Sequence, residues 1–142
     1  MSDTAGILLL VGRVLFAAFF AFSAMGHLMR SPMMVQYARS KKVPLAPLGG
    51  WPAGVALAAG SLSVVLGLWP DLGALLLGLL ATIFAPTVHK FWAEKDPMAR
   101  MNEQMSFIRN VALLGAAIAL FTVFAWLGDG LRFAITAPLI RF

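Results

Sequence analysis

Between Ile7 and Met29 the chain reads ILLLVGRVLFAAFFAFSAMGHLM, an apolar run long enough to cross a bilayer, broken only by Arg13 and His27. Those two residues are about four helical turns apart, so a helix brings them to nearly the same face, with Phe16, Phe20 and Ser23 between them. An ionisable side chain within a membrane span is costly in contact with lipid and turns toward protein or water. The stripe from Arg13 to His27 is therefore expected to face the inside of a helix bundle. Arg13 itself has two outlets. It can snorkel to the near interface, or it can face the bundle and meet backbone carbonyls or Asp71.

Similar runs follow. Of the 142 residues, 61% are hydrophobic and 12% are charged, too apolar for a soluble domain of this size. The expected fold is all-α, a single membrane domain of four transmembrane helices with spans at about 7–29, 51–69, 72–88 and 107–127. Trp51, Trp69, Trp92 and Trp126 fall at or just beyond span ends, where the indole ring favours the headgroup region. The absence of cysteine excludes CxxC redox chemistry, iron–sulfur clusters and thiolate metal sites within this chain. The N-terminus has no cationic stretch before its apolar run, so it is expected to be retained rather than cleaved as a signal.

The connections carry the remaining signals. Leu68-Trp69-Pro70-Asp71 is so short that spans 2 and 3 must form an antiparallel hairpin, with Asp71 able to cap the second helix. The two longer loops each hold a Ser-Pro or Asp-Pro start signal, Ser31-Pro32 and Asp96-Pro97, followed by methionines. Each is expected to contain a short amphipathic surface helix. Span–His–cation–Pro–span thus occurs twice, which suggests a pseudo-repeat of helix pairs with His27 and His89 in matching places. Arg30, Arg39, Lys41 and Lys42 lie in the first loop, and Lys90, Lys95, Arg100 and Arg109 in or beside the second. Only Arg13, Arg132 and Arg141 lie toward the other side. This asymmetry predicts cytoplasmic loops and both termini outside. It also accounts for the net charge of +5 without nucleic acid as a partner.

With spans 1 and 3 running the same way, His27 and His89 reach one depth, where Thr87 ends span 3 and Arg109 and Asn110 begin span 4. Three uses of this cluster remain open: interfacial anchoring to carbonyls and lipid phosphates, a site for a quinone or quinol headgroup, and, with least support, a bis-His haem. No phosphate loop, paired carboxylates or His-Glu-x-x-His motif is present, and no metal-ligand set is assigned. Ala56 with Gly60, and Ser63 with Gly67, form small-xxx-small pairs that allow a close helix approach. Met98, Met101 and Met105 make a stripe suited to interfacial packing or to another subunit.

The segments GRVLFAAFFAFSAMGHL, SP…VP, VVLGL and HKFW…QMSFIRNVALLGAAI, in this order and spacing, resemble the DoxX family of small four-helix membrane proteins. Many relatives have Lys where this chain has His27, and many carry an acid in the first half of span 2, where Val55–Ser61 has none. The resemblance implies a bacterial inner-membrane subunit associated with a redox complex, some relatives belonging with a thiosulfate:quinone oxidoreductase. Its alternative is a non-catalytic scaffold or assembly factor for larger membrane proteins. The implied partners are the lipid bilayer and other membrane subunits or further copies of the chain. No catalytic motif accompanies the fold.

Overall fold

The computed structural model describes all 142 residues, and every regular element in it is helical. The helices are α1 (Asp3–Met29), α2 (Ser31–Ser40), α3 (Trp51–Leu66), α4 (Pro70–Val88) and α5 (Pro97–Leu127), with 3-10 turns at Ala46–Gly49, Phe91–Ala93 and Gly128–Gly130. Helices α1, α4 and α5 are each long and apolar enough to cross a membrane. Helix α3 is as apolar but has 16 residues, about 24 Å of rise against a hydrocarbon layer of about 30 Å.

The apolar helices pack in the sequence α1 on α3, α3 on α4 and α4 on α5, while α1 and α5 barely touch. Phe16, Phe20, Leu57, Val64, Leu77 and Phe124 form the centre of the core. On the outside, large apolar residues such as Leu15 and Phe22 are 69% and 78% exposed, so the helices are hydrophobic all round. That pattern suits lipid as the surrounding medium, and the protein is a membrane protein.

The α3–α4 hairpin is tight because small residues meet at the crossing. A Cβ on Gly60 would fall 2.7 Å from Leu77 Cδ2, and one on Gly73 would fall 3.0 Å from the Gly60 carbonyl oxygen. The turn between them begins with Gly67 at φ +67°, a left-handed conformation that glycine adopts without a Cβ penalty.

Two expectations about the long loops meet different outcomes. The first loop does contain a surface helix, α2, ended by a stretch with Pro44, Pro47, Gly49 and Gly50 before α3. In the second, the start signal at Asp96-Pro97 works as expected, with Asp96 accepting from the Ala99 N–H at 2.8 Å, but no separate helix forms. Nothing between Ala99 and Asn110 breaks a helix, so α5 continues for 31 residues, about 46 Å. Its part from Phe107 onward suffices to span, so the turns from Pro97 to Ser106 are an overhang beyond the length a bilayer needs. The two halves are therefore unlike at this point, and the pseudo-repeat is imperfect. Ser31 is likewise no cap: its Oγ accepts from the Trp51 N–H at 3.0 Å, tying the start of α2 to that of α3.

At the opposite end, the residues after Gly130 fold back over the bundle. Ile135 and Thr136 donate N–H bonds to the carbonyls of Leu66 and Gly67, and the Phe142 N–H reaches Ala125 O. The tail thereby straps the ends of α3, α4 and α5. Asp71 does not cap α4. It is fully buried, and its Oδ2 accepts from the N–H groups of Leu139 and Ile140 at 3.0 and 2.8 Å.

Candidate functional site

The stripe from Arg13 to His27 faces inward and has a different role at each end. At the tail end, Arg13 is 0% exposed. Its Nε donates to Val64 O at 2.7 Å, Nη2 to Val65 O at 2.8 Å and Nη1 to Phe133 O at 2.9 Å, with the Phe124 ring 5.9 Å from the guanidinium carbon. Val64 and Val65 stand in the last turn of α3, whose carbonyls have no helical N–H to accept. Arg13 supplies those donors and holds the tail to the bundle. Of the two outlets open in the sequence, the inward one is used, with backbone carbonyls rather than Asp71 as partners.

At the loop end, all five helices contribute to a cavity of about 680 Å³ whose lining is mainly apolar. His27, Thr87, His89, Arg109 and Asn110 all line it, together with Phe19, Phe20 and Phe84. The last turn of α1 carries His27, whose ring stacks on Phe84 at 6.2 Å with 8° between planes. His27 Nδ1 lies 2.5 Å from Gly49 O. His89 is the residue just past α4, and its Nδ1 lies 2.8 Å from Glu103 Oε2. Thr87 donates its hydroxyl to Ile83 O, one helical turn back. On α5, Arg109 bonds Ser106 Oγ at 2.8 Å and stands 5.6 Å from the Phe19 ring of α1. Asn110 is 6% exposed and donates its amide to Ser106 O at 2.9 Å.

The roof of the cavity comes from α2 and the residues after it, including Tyr37, Leu45 and Leu48. A cluster of charges latches this roof to the rest. Lys41 Nζ pairs with Glu94 Oε1 at 2.6 Å and Glu103 Oε1 at 2.7 Å, and Tyr37 donates its hydroxyl to the same Glu103 oxygen at 3.1 Å. Burial disfavours the Lys41 ammonium, but the bonds to Glu103 and Glu94 outweigh this and raise its pKa above the ordinary lysine value. For Glu103, in the overhanging turns of α5, burial is outweighed by hydrogen bonds from Lys41, His89 and Tyr37, which hold its carboxyl below the ordinary range. Burial and the Glu103 carboxylate push the Tyr37 phenol up.

Glu103, Lys41 and Tyr37 are the site residues that sequence reasoning missed. Glu103 lies fourteen residues beyond His89 in a segment read as a separate surface helix. Once α5 is recognised as continuous, its first turns must rise beside the end of α4, and that is the signal that would have found Glu103.

No curated protein and no solved structure matches the chain. The DoxX family model matches residues 8–90, from the first turns of α1 to just past His89. His27, Lys41, Thr87 and His89 lie within the match, and Glu103, Arg109 and Asn110 lie beyond it. The matched stretch covers more than half of the sequence, and the chain belongs to the DoxX family.

Proposed function

We propose that this protein is an accessory membrane subunit of a redox complex, and that the cavity at its loop end binds the headgroup of a quinone-type lipid. One observation carries the reading: two imidazoles, a hydroxyl, a guanidinium and an amide line the same apolar-walled cavity of about 680 Å³. That volume is in the range of small-molecule sites, which combine apolar walls with a few polar groups that fix orientation. An aromatic headgroup packs between phenylalanines such as Phe20 and Phe84, and its ring oxygens meet His27, His89 and Arg109. The link of some DoxX-like proteins to quinone-reducing complexes points the same way.

The reading includes a bacterial plasma membrane as the location, four spans with α3 as the shortest, and the cavity on the cytoplasmic side. The supporting feature is the eight cations at the loop end against three at the other. Because the chain has no cysteine, single ones report its sides cleanly. Ser40→Cys should react with an impermeant maleimide only from the cytoplasm and Asp129→Cys only from outside; the reverse pattern overturns the orientation.

Purification in mild detergent followed by lipid extraction tests the site. About one quinone or quinol per chain is expected, and His27→Leu should lower that content roughly tenfold, the loss of about one hydrogen bond of 1.4 kcal/mol. A quinone content equal to that of an unrelated membrane protein, with a stable client protein co-purifying, would replace this reading with the scaffold one.

A further inference from the structure

The hydrogen bonds around the cavity fix which of its polar groups can still donate. His27 Nδ1 faces the carbonyl oxygen of Gly49, which can only accept, so this nitrogen carries the proton. Glu103 pairs with Lys41 at 2.7 Å and is a carboxylate, again an acceptor only, so His89 Nδ1 carries the proton in the bond to Glu103 Oε2. With the ring in its neutral form, the other nitrogen, Nε2, is a lone-pair acceptor. Thr87 has given its hydroxyl hydrogen to Ile83 O. Asn110 has given one amide hydrogen to Ser106 O, leaving Oδ1 open. Among these cavity side chains, Arg109, Asn110 and Ser23 keep uncommitted donors, Arg109 and Asn110 each using one N–H on Ser106, and all three can serve a ligand oxygen of either form.

We propose that the cavity selects the reduced, hydroxyl-bearing form of its ring ligand, a 1,4-dihydroxy aromatic, over the oxidised quinone. The inference rests on the quinone-type reading of the cavity. A quinone has carbonyl oxygens only and would set its lone pairs against those of His27 and His89 in an apolar space. A hydroquinone offers one O–H to each imidazole, and its oxygens can still accept from Arg109. Sites built to pair a ligand hydroxyl reject an analogue that lacks it, because the protein group is left unpaired as well. Glu103 is a positioning residue here. It sets the tautomer of His89 and thereby the polarity of the nitrogen that the ring leaves for the ligand.

The test is calorimetric titration of the whole protein in detergent, without oxygen, with three probes: a short-chain methylated 1,4-benzohydroquinone, the matching benzoquinone, and the dimethyl ether of the hydroquinone. The hydroquinone should bind at least tenfold more tightly than either of the others. Glu103→Gln can present an amide N–H to His89 Nδ1 and turn the proton onto Nε2, so it should shrink the preference about tenfold while circular dichroism stays unchanged. Glu94→Gln removes the other Lys41 ion pair without touching His89 and should leave the preference intact. Quinone binding as tight as hydroquinone binding overturns the selection and leaves a quinone cavity standing. A preference unmoved by Glu103→Gln overturns the role of Glu103. Failure of all three probes to bind overturns both this inference and the reading beneath it.

Discussion

Lys41 Nζ lies 2.7 Å from Glu103 Oε1, and this pair joins the roof of the cavity to the overhanging end of α5. The same lysine holds Glu94 at 2.6 Å, so one side chain of the first long loop grips two carboxylates of the second. Lys41→Met should loosen the roof without unfolding the bundle. Partly exposed ion pairs contribute on the order of 1 kcal/mol, so amide exchange in residues 31–49 should quicken roughly fivefold. Exchange unchanged in that segment would show that apolar packing alone holds the roof.

The latch should be indifferent to pH across the neutral range and fail in acid. Glu103 has its folded pKa depressed below 4.5, so its contribution is complete above that value and is lost as pH falls through the folded one. Lys41 has its folded pKa raised above 10.5, so its contribution is complete below that value and is lost only as pH rises past the folded one. Roof exchange, corrected for the intrinsic pH dependence of amides, should be flat from about pH 6 to 9 and accelerate only in acid, below 4.5. An acceleration already complete well above pH 4.5 would assign the latch to a group other than Glu103.

Replacing Arg13 tests the other end. Arg13→Leu would strand the carbonyls of Val64, Val65 and Phe133 away from water, each costing about 1–3 kcal/mol. The variant should fail to accumulate, or should melt many degrees lower in detergent. Arg13→Lys keeps the charge but lacks the planar fork, and should recover only part of the loss. A Leu variant as stable as the parent would show that the guanidinium is dispensable.

Asp71 anchors the tail through one carboxylate oxygen, Oδ2, while its buried Oδ1 has no partner. Asp71→Ala should free Leu139 and Ile140 and make the last residues a substrate for carboxypeptidase. Asp71→Asn retains an oxygen for those two N–H groups and should stay protected. Equal resistance of all three proteins would mean that the bonds of Ile135, Thr136 and Phe142 hold the strap by themselves.

Gly60→Val should force α3 and α4 apart, since its first side-chain atom would sit 2.7 Å from Leu77 Cδ2. Overpacking of this kind costs about 1–3 kcal/mol, read as a lower melting temperature. Gly12→Val, where a Cβ meets nothing within 4 Å, serves as the comparison.

The inward face of α1 was legible because periodicity and the cost of charge in lipid act within one segment. Arg13, Phe16 and Phe20 are indeed buried. The hairpin turn and the small-residue approach at Gly60 were legible for the same local reason. What a sequence hides is the far partner. The contacts Arg13–Phe133, Asp71–Ile140, Lys41–Glu94 and His89–Glu103 join segments that periodicity treats separately. The missing second surface helix was a different error. Asp96-Pro97 marks a helix start, but only a breaker marks a stop, and none occurs before Gly115.

Arg13 also sets the order in which this protein can be completed. Its acceptors stand 51, 52 and 120 residues later in the chain, so α1 enters the bilayer with its guanidinium unsatisfied. An arginine costs about 2.5–3.5 kcal/mol on insertion at the centre of a span and less toward its end, where Arg13 lies. The deficit lasts until α3 arrives and, for one N–H, until the tail is made. Closure of the bundle is thus deferred to the end of synthesis. A chain that stops before Phe133 carries an arginine still short of an acceptor.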